Sequence, residues 1–417
     1  MKFRKYINLA HVTQIIRNAP LFPIAICLMA GIGFGKNLES WTIVMVVLLP
    51  LLLVTALVGK WPRIQTASIL GCVVLFGMML GKGNPNRDDG RWMPEVVYQK
   101  IHRAKLNALD LREKLLKEET RWNVNEEAQG VIAAMTLGDK SLLDKDVKNT
   151  YRKVGVAHIL ALSGLHLTII YAVITMALGW WRSLMLKQVI TILSIWAFAF
   201  MVGLSPSVVR SSVMISIYAL LSLGYREKMS VNTLAFTAII MLVVNPRSLY
   251  NVGFQLSFAA VLAILVLNPL FSKVIPLHVL QRHRWLRFWW GLTTVSVSAQ
   301  VGTAPLVAYY FGTFSTYFLL SNYIVVPLAS AILYLTLACL MTSWWIGLQA
   351  WLVALLGCIV GTMNWILEVI GALPKSCVEG INLSTLQLYL IYILIGSLVV
   401  LLSLWINSKY VKQLTEV

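Results

Sequence analysis

Carboxylates are scarce wherever this chain is apolar. Of 17 Asp and Glu in 417 residues, all but Glu39, Glu227, Glu368, Glu379 and Glu416 fall between residues 83 and 153. Of those five, only Glu368 falls clearly inside an apolar run. That scarcity argues against a proton- or sodium-coupled carrier, which usually displays intramembrane acids, and against a cation channel built on acidic rings. Cysteine is sparse too. Cys27, Cys72, Cys339 and Cys358 sit in apolar runs, where they are expected as buried small hydrophobes, and Cys377 sits in a loop. They form neither a disulfide framework nor a Cys/His metal spacing, so no metal and no cofactor is expected. No G-x-x-x-x-G-K-[ST] loop is present, which excludes nucleotide hydrolysis by that route. The apolar run after Pro20 lacks a small-residue cleavage site and reads as a signal anchor. There is no internal repeat.

What the chain has in abundance is apolar length. Hydrophobic residues make up 58% and charged residues 12%, with a mean hydropathy of +0.75, which is not the composition of a soluble domain. A membrane span needs about 20 mostly apolar residues. Twelve runs qualify, near 19–35, 41–59, 64–82, 154–180, 186–204, 207–224, 229–245, 249–270, 287–311, 315–343, 346–372 and 386–406. The expected fold is an all-α polytopic membrane protein of about twelve spans, some of them broken or re-entrant. It divides into a three-helix segment (1–82), an amphipathic helical segment (83–153) and a long membrane domain (154–417).

The formal charge of +18 is unevenly spread. Lys2, Arg4, Lys5, Arg17, Lys60, Arg63, Arg182, Lys187, Arg226, Lys228, Lys273, Arg282, Arg284, Arg287, Lys409 and Lys412 fall on one side when spans alternate. The positive-inside rule makes that side cytoplasmic, with both termini on it and 83–153 outside. Within that segment Val97, Ile101, Ala104, Ala108, Leu111 and Leu115 recur at helical steps. They predict an amphipathic helix that lies on the membrane, on the spans or on a second copy. Gly138 and Asp139 signal a turn, with Asp139 or Ser141 able to cap a short polar helix from about 143 to 153.

The polar residues inside the apolar runs are the candidates for function. In H-I-L-A-L-S-G-L-H, His158 and His166 would lie about 12 Å apart along a single helix, too far to share one ion. Ser163 stands three residues before His166, so a Ser–His hydrolase is a competing reading, without a G-x-S-x-G elbow or a placed carboxylate. Ser163 and Gly164 suit close helix approach, and both histidines can offer donors to a cavity or to a neighbouring helix. Arg210 is an intramembrane cation that either snorkels to the outer surface or stands at the mouth of an interior path. Gln255, Ser257 and Asn322 add uncharged hydrogen-bonding groups to later runs. Pro305 and Pro327 are expected to break or kink their helices around a cavity. Donors without acids suit an anionic substrate, of which single-stranded nucleic acid is one.

These residues carry a family resemblance. Gly138-Asp139-Lys140-Ser141, His158 to His166, Pro206 to Arg210 and Gly253-Phe254-Gln255-Leu256-Ser257-Phe258 occur in the order seen in the ComEC family of competence proteins. A looser match runs from Gln300 through Pro305 and Asn322 to Pro327, and the similarity covers about residues 100–370. The resemblance implies a channel that carries transforming DNA as a single strand across the bacterial cytoplasmic membrane, with a possible homo-oligomer. The path would be lined by His158, Ser163, His166, Arg210, Gln255, Ser257 and Asn322. Gly138, Asp139, Lys140, Gly164, Pro206, Pro305 and Pro327 would serve as gate or structural positions.

Two family features are not matched. The mostly helical residues 83–153 are too few for the family's OB-fold barrel, and none of the six histidines forms the H-x-H-x-D-H pattern of its metallo-β-lactamase-like domain. The resemblance therefore implies a separate outer-face DNA receptor, a separate nuclease, and a cytoplasmic motor or single-strand-binding protein. Competing readings are a small-anion or lipid-linked solute transporter on the same fold, and an envelope scaffold. The DNA reading predicts that Arg210→Glu abolishes transformation while the protein still reaches the membrane. Transformation frequency and immunoblots of membrane fractions check it, and a wild-type frequency refutes the role.

Overall fold

The computed structural model describes residues 19–35, 62–81, 124–180, 183–222, 231–342 and 344–415, with a few single residues between 52 and 122. The expected span at 41–59 and most of the 97–115 helix lie outside the described residues. The described helices are α1 (Leu21–Gly35), α2 (Pro62–Gly81), α3 (Glu126–Thr136), α4 (Lys145–Lys153), α5 (Gly164–Ala177), α6 (Leu184–Met201) and α7 (Pro206–Ser222). They continue as α8 (Val231–Val244), α9 (Val252–Phe271), α10 (Leu277–Arg282), α11 (Arg284–Phe311), α12 (Phe318–Met341), α13 (Ile346–Ala372) and α14 (Thr385–Thr415). Two short strands, β1 (Thr313–Ser315) and β2 (Cys377–Glu379), pair antiparallel with Phe314 opposite Val378.

The fold is all-α. Among the described residues six helical stretches are long and apolar enough to cross a membrane: 64–81, 184–201, 252–271, 318–341, 346–372 and 385–404. Shorter apolar helices cover 21–35, 164–180, 207–220 and 231–244. The run at 154–180 departs from its expected continuous helix, because residues 154–163 are irregular and α5 starts only at Gly164. Apolar composition cannot see that break, whose cause is a pair of capping motifs considered below. Pro305 and Pro327 lie inside α11 and α12 and break neither helix. Of the cysteines in apolar runs, Cys339 is buried, Cys27 and Cys72 are half-buried, and Cys358 is exposed.

Contacts divide the chain into two compact units: residues 1–99, 228–266 and 398–417, and residues 100–227 and 267–397. In the first, α1 and α2 meet backbone to backbone. Gly31 and Gly35 on α1 face Gly77 and Gly81 on α2, and a side chain at any of the four would run into the partner's main chain. A Cβ on Gly77 would stand 2.6 Å from the Leu28 carbonyl oxygen. Two small-xxx-small steps thus permit the close approach that drives helix pairing where lipid supplies no hydrophobic force. Asn232 of α8 accepts a bond from the Leu21 N–H at 2.9 Å, and the Tyr250 hydroxyl donates to the Ile32 carbonyl at 3.2 Å.

The second unit is built on the α12–α13 hairpin. Val325, Ile332, Val353, Leu356, Val360, Met363 and Leu367 form one buried cluster with Val131 and Met135 of α3, Val147 and Tyr151 of α4, and Val156 and Ile159 beyond them. Residues of the expected outer segment therefore share a core with the long membrane domain. The Tyr151 hydroxyl donates to Asn364 Oδ1 at 2.7 Å inside this core, and burial pushes the Tyr151 phenol above its ordinary pKa. Arg152 donates to the Phe311 carbonyl at 3.3 Å and lies over the Phe311 ring.

The glycine contact yields a direct test. Gly77→Val forces α1 and α2 apart and is expected to destabilise the protein by about 1–3 kcal/mol, the usual range for overpacking. Thermal unfolding of the purified protein and its steady-state level in membranes are the measurements.

Candidate functional site

Glycine-terminated helices deliver the polar residues. α4 ends in a Schellman motif, in which the Val156 N–H donates to the Tyr151 carbonyl at 2.9 Å and the Gly155 N–H to that of Arg152 at 3.1 Å. Gly155 has a φ of 81°, and a Cβ there would stand 2.8 Å from Ser315 Cβ, so both backbone and space demand glycine. The chain then turns through His158 before α5. α6 ends the same way: Leu204 N–H reaches the Ala199 carbonyl at 3.0 Å, Gly203 has a φ of 89°, and α7 starts at Pro206.

Ser163 is the N-cap of α5 and His166 is its third residue. His166 Nδ1 accepts the Ser163 backbone N–H at 3.2 Å and lies 2.9 Å from Ser163 Oγ. The reciprocal arrangement is a capping box with histidine in the usual Glu/Gln place. Because Nδ1 is an acceptor, the neutral ring carries its proton on Nε2, and Nε2 is buried without a protein partner. The Ser–His contact that suggested a hydrolase is thus a helix cap, with the imidazole oriented by its own backbone.

His158 and His166 do not share a helix, contrary to the expected geometry. His158 lies in the preceding turn, with its side chain exposed. Ser315, whose hydroxyl is buried and unpartnered, packs against Gly155 just upstream.

Arg210 does not snorkel. It is 6% exposed, and among the described residues Nη2 reaches only Ser211 Oγ, at 3.4 Å. Its Nε and Nη1 are buried without a protein partner, as is Ser212 Oγ. Gly164 admits this group: a Cβ there would stand 3.0 Å from Ser211 Oγ and 3.6 Å from Arg210 Nη2.

Asp139 caps no helix. It accepts the Ser141 N–H at 2.8 Å in a local turn, and Asp144 holds the N-cap of α4. Gly138, with a φ of 70°, abuts Leu162 of the histidine block. Lys140 is exposed, its ammonium pKa lowered by desolvation first and by Lys148 second. Asn322, the fifth residue of α12, has Oδ1 buried and, among the described residues, unpartnered, beside an equally unpartnered Ser321 hydroxyl. Gln255 and Ser257 belong to α9 in the first unit, where the Gln255 amide donates to the Leu249 carbonyl at 2.8 Å. Three of the four ordered sequence blocks therefore meet in the second unit. Ser211, Ser212 and Ser315 were not read from the sequence, since lone serines in apolar runs carry no distinguishing signal. Among the described residues no group of three or more His, Cys, Asp or Glu is placed to hold a metal.

The fold and this cluster define a polytopic α-helical membrane protein with a basic, donor-rich interior. A competence protein family model matches residues 135–405, and the chain belongs to that family. It is 31% identical over 204 residues to ComE operon protein 3 of Bacillus subtilis (strain 168), covering 48% of this chain and 25% of that protein. It is 28% identical over 206 residues to an uncharacterized protein of Aquifex aeolicus (strain VF5), covering 49% and 45% respectively. An uncharacterized Mycoplasma pneumoniae protein is 24% identical over 131 residues, covering 30% of this chain and 34% of that protein. The chain thus spans less than half the length of these relatives. No solved structure matches it.

The capping box makes its own prediction. Ser163→Ala and His166→Ala are each expected to cost about 1 kcal/mol. The double variant should cost less than their sum, because the two side chains serve one cap. Chemical unfolding measures this, and retained biological function in Ser163→Ala eliminates a hydrolase.

Proposed function

We propose that the chain forms the membrane passage through which a single DNA strand crosses the bacterial cytoplasmic membrane during transformation. The observation that carries this reading is the cluster in the second unit. The block 158–166 packs through Gly164 against Arg210 and Ser211 and through Leu162 against Gly138, and His166 Nε2 and Arg210 Nε and Nη1 are buried there without an acceptor among the described residues. Membership of the competence family and the kinship with ComE operon protein 3 support it. A passage with donors and few acids replaces the water around a phosphodiester backbone and excludes cations.

The strand enters from the outer face near Arg210 and His158 and passes Ser163 and His166, with Asn322 near the start of α12 as a further polar contact. About twelve spans, cytoplasmic termini and an outer position for residues 83–153 complete the topology. A separate receptor and nuclease act outside, and a motor or single-strand-binding protein inside supplies direction.

A deletion strain fed labelled duplex DNA tests this. Label is expected to accumulate outside the cytoplasmic membrane and fail to reach the cytosol. Normal delivery of label to the cytosol would sink the proposal.

A further inference from the structure

We propose that Arg210, Ser211 and the N-terminus of α5 form a binding site for a single phosphate-class oxyanion. The inference deepens the passage reading and rests on it for the source of the ligand. A guanidinium buried to this depth is strongly destabilising without a counter-charge. Among the described residues no acid forms an ion pair with Arg210, and its bond to the Ser211 hydroxyl supplies no charge. Nε and Nη1, one donor from each of the guanidinium's two forked edges, have no acceptor among the described residues, and Nη2, which both edges share, holds only a long bond to Ser211.

The surroundings add positive potential. Arg210 stands near the start of α7, and its Nη2 points at Gly164, the first residue of α5. A helix start carries roughly half a positive charge. The start of α5 beside a buried cation adds to the unbalanced positive potential, and a bound anion offsets it. Gly164 keeps the approach open, since a methyl there would press on Ser211 Oγ at 3.0 Å. Among the described residues no carboxylate takes the place, and a tetrahedral oxyanion matches the guanidinium fork. A strand phosphodiester, a lipid headgroup and free phosphate share that chemistry.

Full-length protein in nanodiscs of zwitterionic lipid is titrated with inorganic phosphate against chloride at constant ionic strength, reading melting temperature and bound radiolabel. Saturable binding with stabilisation is expected. Arg210→Met should bind phosphate at least tenfold more weakly and melt higher than wild type in phosphate-free buffer, because an uncompensated buried charge has gone. Arg210→Lys, which keeps the charge but not the fork, should fall between them.

Absence of saturable phosphate binding to the wild type overturns the site, whatever the variants do. So does Arg210→Met binding phosphate as tightly as wild type, or melting lower without phosphate, which makes Arg210 a structural strut. Competition by oligothymidylate but not by its uncharged methylphosphonate analogue assigns the site to the strand. Competition by anionic lipid alone assigns it to a headgroup. Normal DNA import in the deletion strain removes the passage and leaves phosphate binding standing; lost phosphate binding with blocked import does the reverse.

Discussion

The governing constraint is that this apolar body buries donors without matching acids. In water an arginine or an imidazole needs no partner, but in a medium of low polarity every unpaired N–H is a cost. The chain answers that cost in two ways. Serine and threonine hydroxyls mostly turn back on the carbonyl four residues earlier, as Thr191, Ser298 and Ser330 do. Among the described residues a smaller set of donors, His166 Nε2, Arg210 Nε and Nη1 and the Ser212 hydroxyl, is left without an acceptor, and Asn322 Oδ1 without a donor. Native proteins keep few such atoms, and His166 and Arg210 place three of them inside two of the ordered sequence blocks.

Positioning comes from how helices end rather than from how they run. The Schellman turns at Gly155 and Gly203 stop α4 and α6 and swing the chain toward His158 and Arg210. The Ser163–His166 cap then starts α5 at the residue where a glycine lets α7 come close. A side chain at Gly155 or Gly164 would displace a neighbour that carries a polar group. The site is thus supported by backbone geometry, which fluctuates less than long side chains do. The shared core of α3, α4, α12 and α13 holds the approach to this region in place.

Much of this was legible in the residues. Apolar runs longer than a bilayer core announced the helices, and the ordered polar blocks announced the family. Gly164 was readable as a packing position because small residues admit neighbouring helices. The start of α5 was missed, since hydropathy integrates over a window and a cap is a three-residue event; Ser163 with His166 was the available clue. Of the break or kink expected at Pro305 and Pro327, the break did not occur, because a proline removes one bond without ending a long helix. The burial of Arg210 was undecidable from sequence, as it depends on what α5 places above it. The glycine ladder of α1 and α2 was visible at four-residue spacing and was passed over.

That ladder bears on how the molecule comes together. Because α1 and α2 meet through main-chain atoms of their own short stretches, their pairing draws on nothing synthesised later. The two helices can associate as soon as both have left the ribosome and entered the lipid. Asn232, more than 150 positions downstream of α2, then finds the Leu21 amide already presented on a finished surface. Biogenesis of this half of the molecule accordingly has a direction, from a self-sufficient amino-terminal pair to the helices that dock upon it.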